Sequence, residues 1–122
     1  RSRGLGDVYK RQLLYRAVYN LVENAIKYNR PSGSVTVSIH TAESAVLEVT
    51  DTGIGISPEN QEKIFDPFYR VDKSRSRAMG GAGLGLALVS EIARQHNGQV
   101  KVTQSSEKGS TIALILPKST DY

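Results

Sequence analysis

The order of elements readable in this 122-residue chain, helix, two strands, helix, loop, helix, two strands, predicts an α+β two-layer sandwich: one sheet with helices on one face. Three observations carry that prediction. Apolar residues recur at helical spacing between Leu14 and Ala25. Two pairs of short segments alternate apolar with polar residues. A stretch without periodicity, 66 to 82, separates the halves.

The opening RSRGLGDVYKRQ shows neither helical nor strand periodicity and is set aside as a non-native or disordered leader. The domain is taken as 13–118, with 119–122 a tail. The first helix is expected from Leu13 to about Asn29, with Leu14, Val18, Leu21 and Ala25 as its buried stripe. Pro31 disfavours helical geometry at Arg30, and Gly33 follows. Val35, Val37 and Ile39 alternate into one strand; Ala45 to Val49 rises into Asp51 as the next. Pro58 starts a short helix to about Ile64, with Ser57 as N-cap. The loop of Arg, Ser and Gly then leads into a helix from about Leu84 to Gln95, stopped by Asn97-Gly98. Strands over Gln99–Gln104 and Thr111–Leu116 precede Pro117.

Composition removes several function classes. There is no cysteine, so disulfide scaffolds, thiolate nucleophiles and Cys-based zinc sites are excluded. The two histidines, His40 and His96, have no neighbour at metal-ligand spacing and no adjacent acid or nucleophile. Basic residues cluster between Arg70 and Arg77, but without interleaved aromatics and with acids on both sides, which disfavours nucleic acid. A basic loop over a polyphosphate fits better, and a merely solvated loop fits as well. No apolar run reaches membrane-span length, so a cytoplasmic setting without membrane contact by this domain is expected.

Four constellations carry chemistry. On the first helix Asn20, Asn24 and Lys27 share a stripe at spacings of four and three, beside Tyr28. Asparagine is a mediocre helix former. Its carboxamide oxygen ligates hard cations such as Mg²⁺, and an ammonium meets phosphate; the bland reading is a solvated face. Asp51-Thr52-Gly53-Ile54-Gly55-Ile56 follows a strand. A carboxylate there accepts from an exocyclic amino group such as adenine's, while two glycines admit a flat ligand. A tight turn uses the same residues. Gly80 to Leu86 enters a helix N-terminus, whose unpaired N–H groups and dipole bind phosphate. The spacing matches neither a P-loop nor a dinucleotide turn, and a flexible hinge would look the same. Finally, Phe65 and Phe68 read as core anchors at the base of the loop, with Arg70 beyond them able to reach a phosphate.

Together and in order, NLVENAIKYN, DTGIGIS, IFDPFYRVD, GGAGLGLALV and GSTIALILP resemble the N, G1, F, G2 and closing boxes of the catalytic domains of bacterial sensor histidine kinases. These belong to the GHKL superfamily, with gyrase B, Hsp90 and MutL. The resemblance runs from about Leu13 to Lys118 and implies the Bergerat ATP-binding fold, a mixed sheet of about five strands backed by three helices. It implies ATP and Mg²⁺ as cofactors, with Asn24 as metal ligand and Asn20 supporting the phosphates. Lys27 and Arg70 would meet phosphate oxygens, and Tyr28 would pack near the base or sugar. Asp51 would accept from the adenine amino group, with Gly53, Gly55 and Ile56 lining the base. Gly81, Ala82, Gly83, Leu84, Gly85 and Leu86 would wrap the phosphates, and Ser110 would join the adenine network. Ala82 stands where many members have Thr, so one hydroxyl contact is lost there. The acid often found near the start of the first helix is not placed, because Asp7 lies in the segment set aside.

Neither histidine stands in a phosphoacceptor context, so the implied reaction is γ-phosphoryl transfer to a histidine on a separate dimerisation domain of the same parent protein. A response regulator would act downstream, and the parent would be membrane-anchored. Three alternatives stay in view: a GHKL ATPase, an anti-sigma-factor serine kinase, and a non-catalytic ATP sensor. The ATPase needs a carboxylate where this chain has Asn20, and Glu23 points to another side of the helix.

Overall fold

A computed structural model describes the backbone of residues 2–69 and 85–118 and the side chains of 8–69 and 85–118. Helix α1 runs over Ser2–Lys27 and α2 over Gly85–Gln95. The strands are β1 (Val35–Thr41), β2 (Ser44–Asp51), β3 (Gln99–Ser106) and β4 (Gly109–Pro117). They form one sheet in the order β1-β2-β4-β3, antiparallel at every pairing. The fold class is the predicted helix-and-sheet sandwich. The described sheet departs from the implied one in having four antiparallel strands rather than about five in mixed order. Two hairpins, turning at Ala42-Glu43 and Glu107-Lys108, need no crossover, and their inner strands β2 and β4 pair.

Helix α1 lies against β2 and β1, and α2 lies against β3 and β4. Leu21, Val89 and Ile92 are the largest fully buried side chains, packed with Val49, Ile112 and Leu114 from the sheet. Ala17 and Ala25 on α1 and Ala93 on α2 are buried in the same core, and the two helices pack on each other. The buried stripe of α1 is therefore Ala17, Leu21 and Ala25; Val18 sits beside it, half-buried. The helix also extends back to Ser2, through the segment set aside as a leader, although Val8 to Gln12 are exposed. Once a helix is nucleated, each further residue adds a hydrogen bond without needing a core to face.

Two other local expectations need correction. The stretch after Pro58 forms two 3-10 turns, Pro58–Asn60 and Lys63–Phe65, instead of one α-helix. Ser57 makes no side-chain cap; its Oγ accepts from Asn60 Nδ2 at 2.7 Å. At the end of α2, Asn97 takes the left-handed conformation (φ 59°). The N–H groups of Gly98 and Asn97 close on the carbonyls of Ala93 and Arg94, at 2.8 and 3.0 Å. Gly98 is required for a different reason, since a Cβ there would sit 2.2 Å from the Ile115 carbonyl oxygen.

The edge strand β1 is poorly covered. Val37 and Ile39 lie in register with Val49 and Leu47, on the helix-side face, yet are 44% and 69% exposed.

Candidate functional site

The helix-side face ends, at one edge of the sheet, in a polar rung. Asp51 on β2 is paired with Ser110 on β4, which is paired with Ser105 on β3. A register shift between Val102 and Gln104 makes this possible. Without it, alternation from Val100 and Val102 would turn Ser105 to the opposite face; the bulge brings it round. Its Oγ then accepts the N–H of Ile56 at 2.6 Å.

Asp51 is held from two sides. Its Oδ1 accepts the N–H of Gly53 at 2.8 Å, and its Oδ2 accepts the hydroxyl of Ser110 at 3.1 Å. Each oxygen keeps a second lone pair, so the carboxylate retains acceptor capacity. The turn beyond is pressed onto its surroundings. A Cβ on Gly53 would lie 2.4 Å from the Tyr28 carbonyl, and one on Gly55 (φ 82°) 2.1 Å from the Ser106 carbonyl. Ile54 is left exposed, while Ile56 packs on the core. The bland turn reading and the acceptor reading of Asp51 are thus compatible.

A second group of the predicted residues lies at the junction of the two helices. Asn20 and Asn24 are half-buried on α1, one turn apart. Gly85 begins α2, and its Cβ position lies 3.7 Å from the Asn20 Oδ1. The carboxamide of one constellation therefore lies next to the first residue of another, with room between them for little more than a methyl group. Neither Asn20 nor Asn24 has a side-chain hydrogen-bond partner among the described residues. Such oxygens fit a hard divalent cation that completes its shell from phosphate and water. Among the described residues no group of three or more His, Cys, Asp or Glu could hold a metal. Lys27 is not free; its Nζ pairs with Glu23 at 3.8 Å, and Glu23 also accepts from the Tyr19 hydroxyl at 3.4 Å. Leu86 is half-buried, with its side chain packed against the core. Arg70, Gly81, Ala82, Gly83 and Leu84 lie outside the described residues.

A second network escaped the sequence reading. The Thr52 hydroxyl donates to Asn29 Oδ1 at 2.8 Å and accepts from the Ser34 N–H at 2.9 Å. Asn29 Nδ2 closes the ring on the Ser34 carbonyl at 2.8 Å. Arg30 Nε donates to the Gly53 carbonyl at 3.3 Å, and its Nη2 donates to the Glu107 carbonyl. Asn29 and Arg30 read as a helix stop, which hid their second use; only the adjacency of Thr52 to Asp51 gave a signal.

Tyr69 donates its hydroxyl to Asn60 Oδ1, fastening the segment that leads to residue 70. Phe65 packs on the core as expected of an anchor, whereas Phe68, at φ 66°, is exposed. The histidines remain outside the site. His40 pairs with Glu48 at 3.2 Å on the other sheet face, and His96 is buried with Nδ1 on the Ile92 carbonyl at 2.8 Å.

Residues 9–120 match the family described as histidine kinase-, DNA gyrase B-, and HSP90-like ATPase. The chain is 49% identical over 117 residues to the sensor-like histidine kinase SenX3 of Mycobacterium tuberculosis, covering 94% of this chain and 28% of SenX3. It therefore spans a little over a quarter of that relative. Among solved structures, it is similar to the mycobacterial sensor histidine kinase MprB, at TM-score 0.74 and 34% identity over 87% of this chain and 70% of that one. It is also similar to full-length ShkA in complex with AMPPNP, at TM-score 0.72 and 26% identity over 90% of this chain and 23% of that one.

Proposed function

The chain belongs to the histidine kinase-, DNA gyrase B-, and HSP90-like ATPase family, and from that premise we propose that it binds Mg-ATP and donates the γ-phosphoryl group to a histidine on a separate dimerisation domain of its parent protein. The observation that carries this reading is the Asp51 carboxylate, which is held by Gly53 and Ser110 yet keeps acceptor capacity; the closeness of Asn20 to Gly85 at the start of α2 supports it. The first offers an acceptor to a base, and the second offers carboxamide oxygens and a helix N-terminus to phosphates.

In this reading Asp51 takes the adenine amino hydrogen while Gly53 and Gly55 bring backbone against the ring. Asn24, supported by Asn20, holds Mg²⁺, and Lys27 leaves Glu23 for a phosphate oxygen. Arg70 and the glycines from Gly81 to Gly85 complete the phosphate cradle. Bound Mg²⁺ supplies neutralisation of phosphate charge. The protein's share is positioning and electrostatic stabilisation, because phosphoryl transfer asks for little covalent chemistry from the enzyme. Asn20 stands where an ATPase would need a carboxylate, and its amide is a poor base, which favours transfer to a histidine over transfer to water. Mg²⁺, the phosphoacceptor domain, a downstream response regulator and a membrane-anchored parent with this domain in the cytoplasm are all parts of the proposal. The similarity to sensor histidine kinases supports them.

The test is a gel with γ-labelled ATP beside a phosphate-release assay. The chain alone should remain unlabelled and release phosphate very slowly. Adding a cognate histidine-bearing dimerisation domain should give an acid-labile, base-stable phosphoprotein. Brisk hydrolysis by the chain alone, or acid-stable label on a serine, would overturn the kinase assignment.

A further inference from the structure

The Asp51–Ile56 turn is anchored by residues far away in sequence, and Arg30 joins three of the segments involved. It follows the end of α1, where its own N–H donates to Asn29 Oδ1 at 2.8 Å. Its Nε reaches the carbonyl of Gly53, 23 residues on, and its Nη2 reaches the carbonyl of Glu107, 77 residues on, in the β3–β4 hairpin. That hairpin already touches the turn: Ser105 receives Ile56, and a Cβ on Gly109 would lie 1.9 Å from the Asp51 carbonyl. Gly53 is thereby gripped at both ends, its N–H by Asp51 and its carbonyl by Arg30.

We infer that Arg30 is a positioning residue that sets base selectivity: by fixing the Gly53 peptide it holds the Asp51 carboxylate in the orientation that separates adenine from guanine. This rests on the proposed nucleotide-binding reading. Adenine presents an amino donor at the position where guanine presents a carbonyl acceptor. A carboxylate fixed in place accepts from the first and repels the second. One that can swing away loses affinity for adenine and tolerates guanine, because discrimination depends on leaving the wrong ligand against an unpaired polar group. The planar guanidinium reaches two carbonyls in different directions, which a lysine ammonium does with less geometric definition.

The experiment titrates the chain and its Arg30→Ala and Arg30→Lys variants with Mg-ATP and Mg-GTP by calorimetry, alongside thermal unfolding and amide exchange at Gly53. Arg30→Ala should bind ATP about tenfold more weakly, the equivalent of one hydrogen bond to a charged group, while GTP changes little. The ATP-to-GTP preference then falls by a similar factor, Arg30→Lys is intermediate, and the Gly53 amide exchanges faster in both. Equal weakening of both nucleotides would mean a structural role only and would overturn the inference, as would an unchanged preference. Should Arg30→Ala not fold, Arg30→Lys and the Gly53 amide carry the decision, with the same readings. A wild-type chain that binds neither nucleotide, or binds both equally, would instead bring down the nucleotide reading itself.

Discussion

Asp51 and Ser110 face each other across the central strand pair, and the serine hydroxyl donates to the carboxylate at 3.1 Å. Asp51→Asn can preserve this geometry. Its amide oxygen takes the Gly53 N–H, and its NH₂ turns to Ser110, whose hydroxyl can accept as well as donate. What changes is the ligand side, where hydrogens now meet the amino group of adenine. The variant should keep its melting temperature within about 2 °C and lose at least about tenfold in ATP affinity. A large fall in melting temperature with ATP affinity intact would make Asp51 a turn residue only.

Asn24→Ala tests the cation. ATP binding should strengthen when Mg²⁺ is added to the wild-type chain, and the variant should lose most of that gain. Titration calorimetry with Mg²⁺ and with a chelator gives the comparison directly. Equal Mg²⁺ dependence in both proteins would remove Asn24 as a ligand.

The core makes a separate prediction. Leu21 is 1% exposed between α2 and the sheet, whereas Ile26, on the same helix, is 62% exposed. Leu21→Ala should cost about 2–5 kcal/mol in urea unfolding, from lost burial plus the cavity. Ile26→Ala should stay within about 0.5 kcal/mol. Comparable losses at both positions would contradict the packing described.

Glu91 and Arg94 make a titration test. A side-chain hydrogen bond from Arg94, with Gln95 adding a second, pulls the Glu91 carboxyl from 4.5 to about 2. A depressed carboxylate stabilises the fold above its unfolded value, and that contribution fades as pH falls through the window from 4.5 to about 2. The pair lies on the surface, so solvent and salt screen its effect on stability and the titration itself is the observable. Carbon-detected NMR should follow Glu91 to about 2, and Arg94→Gln should return it toward 4.5.

The sequence was most legible where periodicity is strong. Helix α2 and all four strands carry their pattern in Val, Ile and Leu, and the boxes supplied both residues of two close pairs, Asp51 with Ser110 and Asn20 with Gly85. Alanine gave less away: Ala17 is buried and Val18 only half so, and a side chain as small as alanine's adds little to an apolar periodicity. Local geometry also escaped, as at Pro58, where tertiary contacts favour two 3-10 turns. The bulge near Thr103 rotates Ser105 into the site, and no pattern in β3 announces it. Arg30 and Thr52 act on partners distant in sequence, which no local window contains.

The strand order has a consequence for how the molecule comes into being. Each hairpin closes through two residues, so β1–β2 and β3–β4 are local and quick to form. Joining β2 to β4 closes a loop of about sixty residues, and distant contacts of that kind form slowly. Asp51 and Ser110 sit on opposite sides of that last seam. Nucleotide affinity that needs both develops only when the seam closes, and ATP would then draw the population toward the finished sheet and away from every half-zipped state.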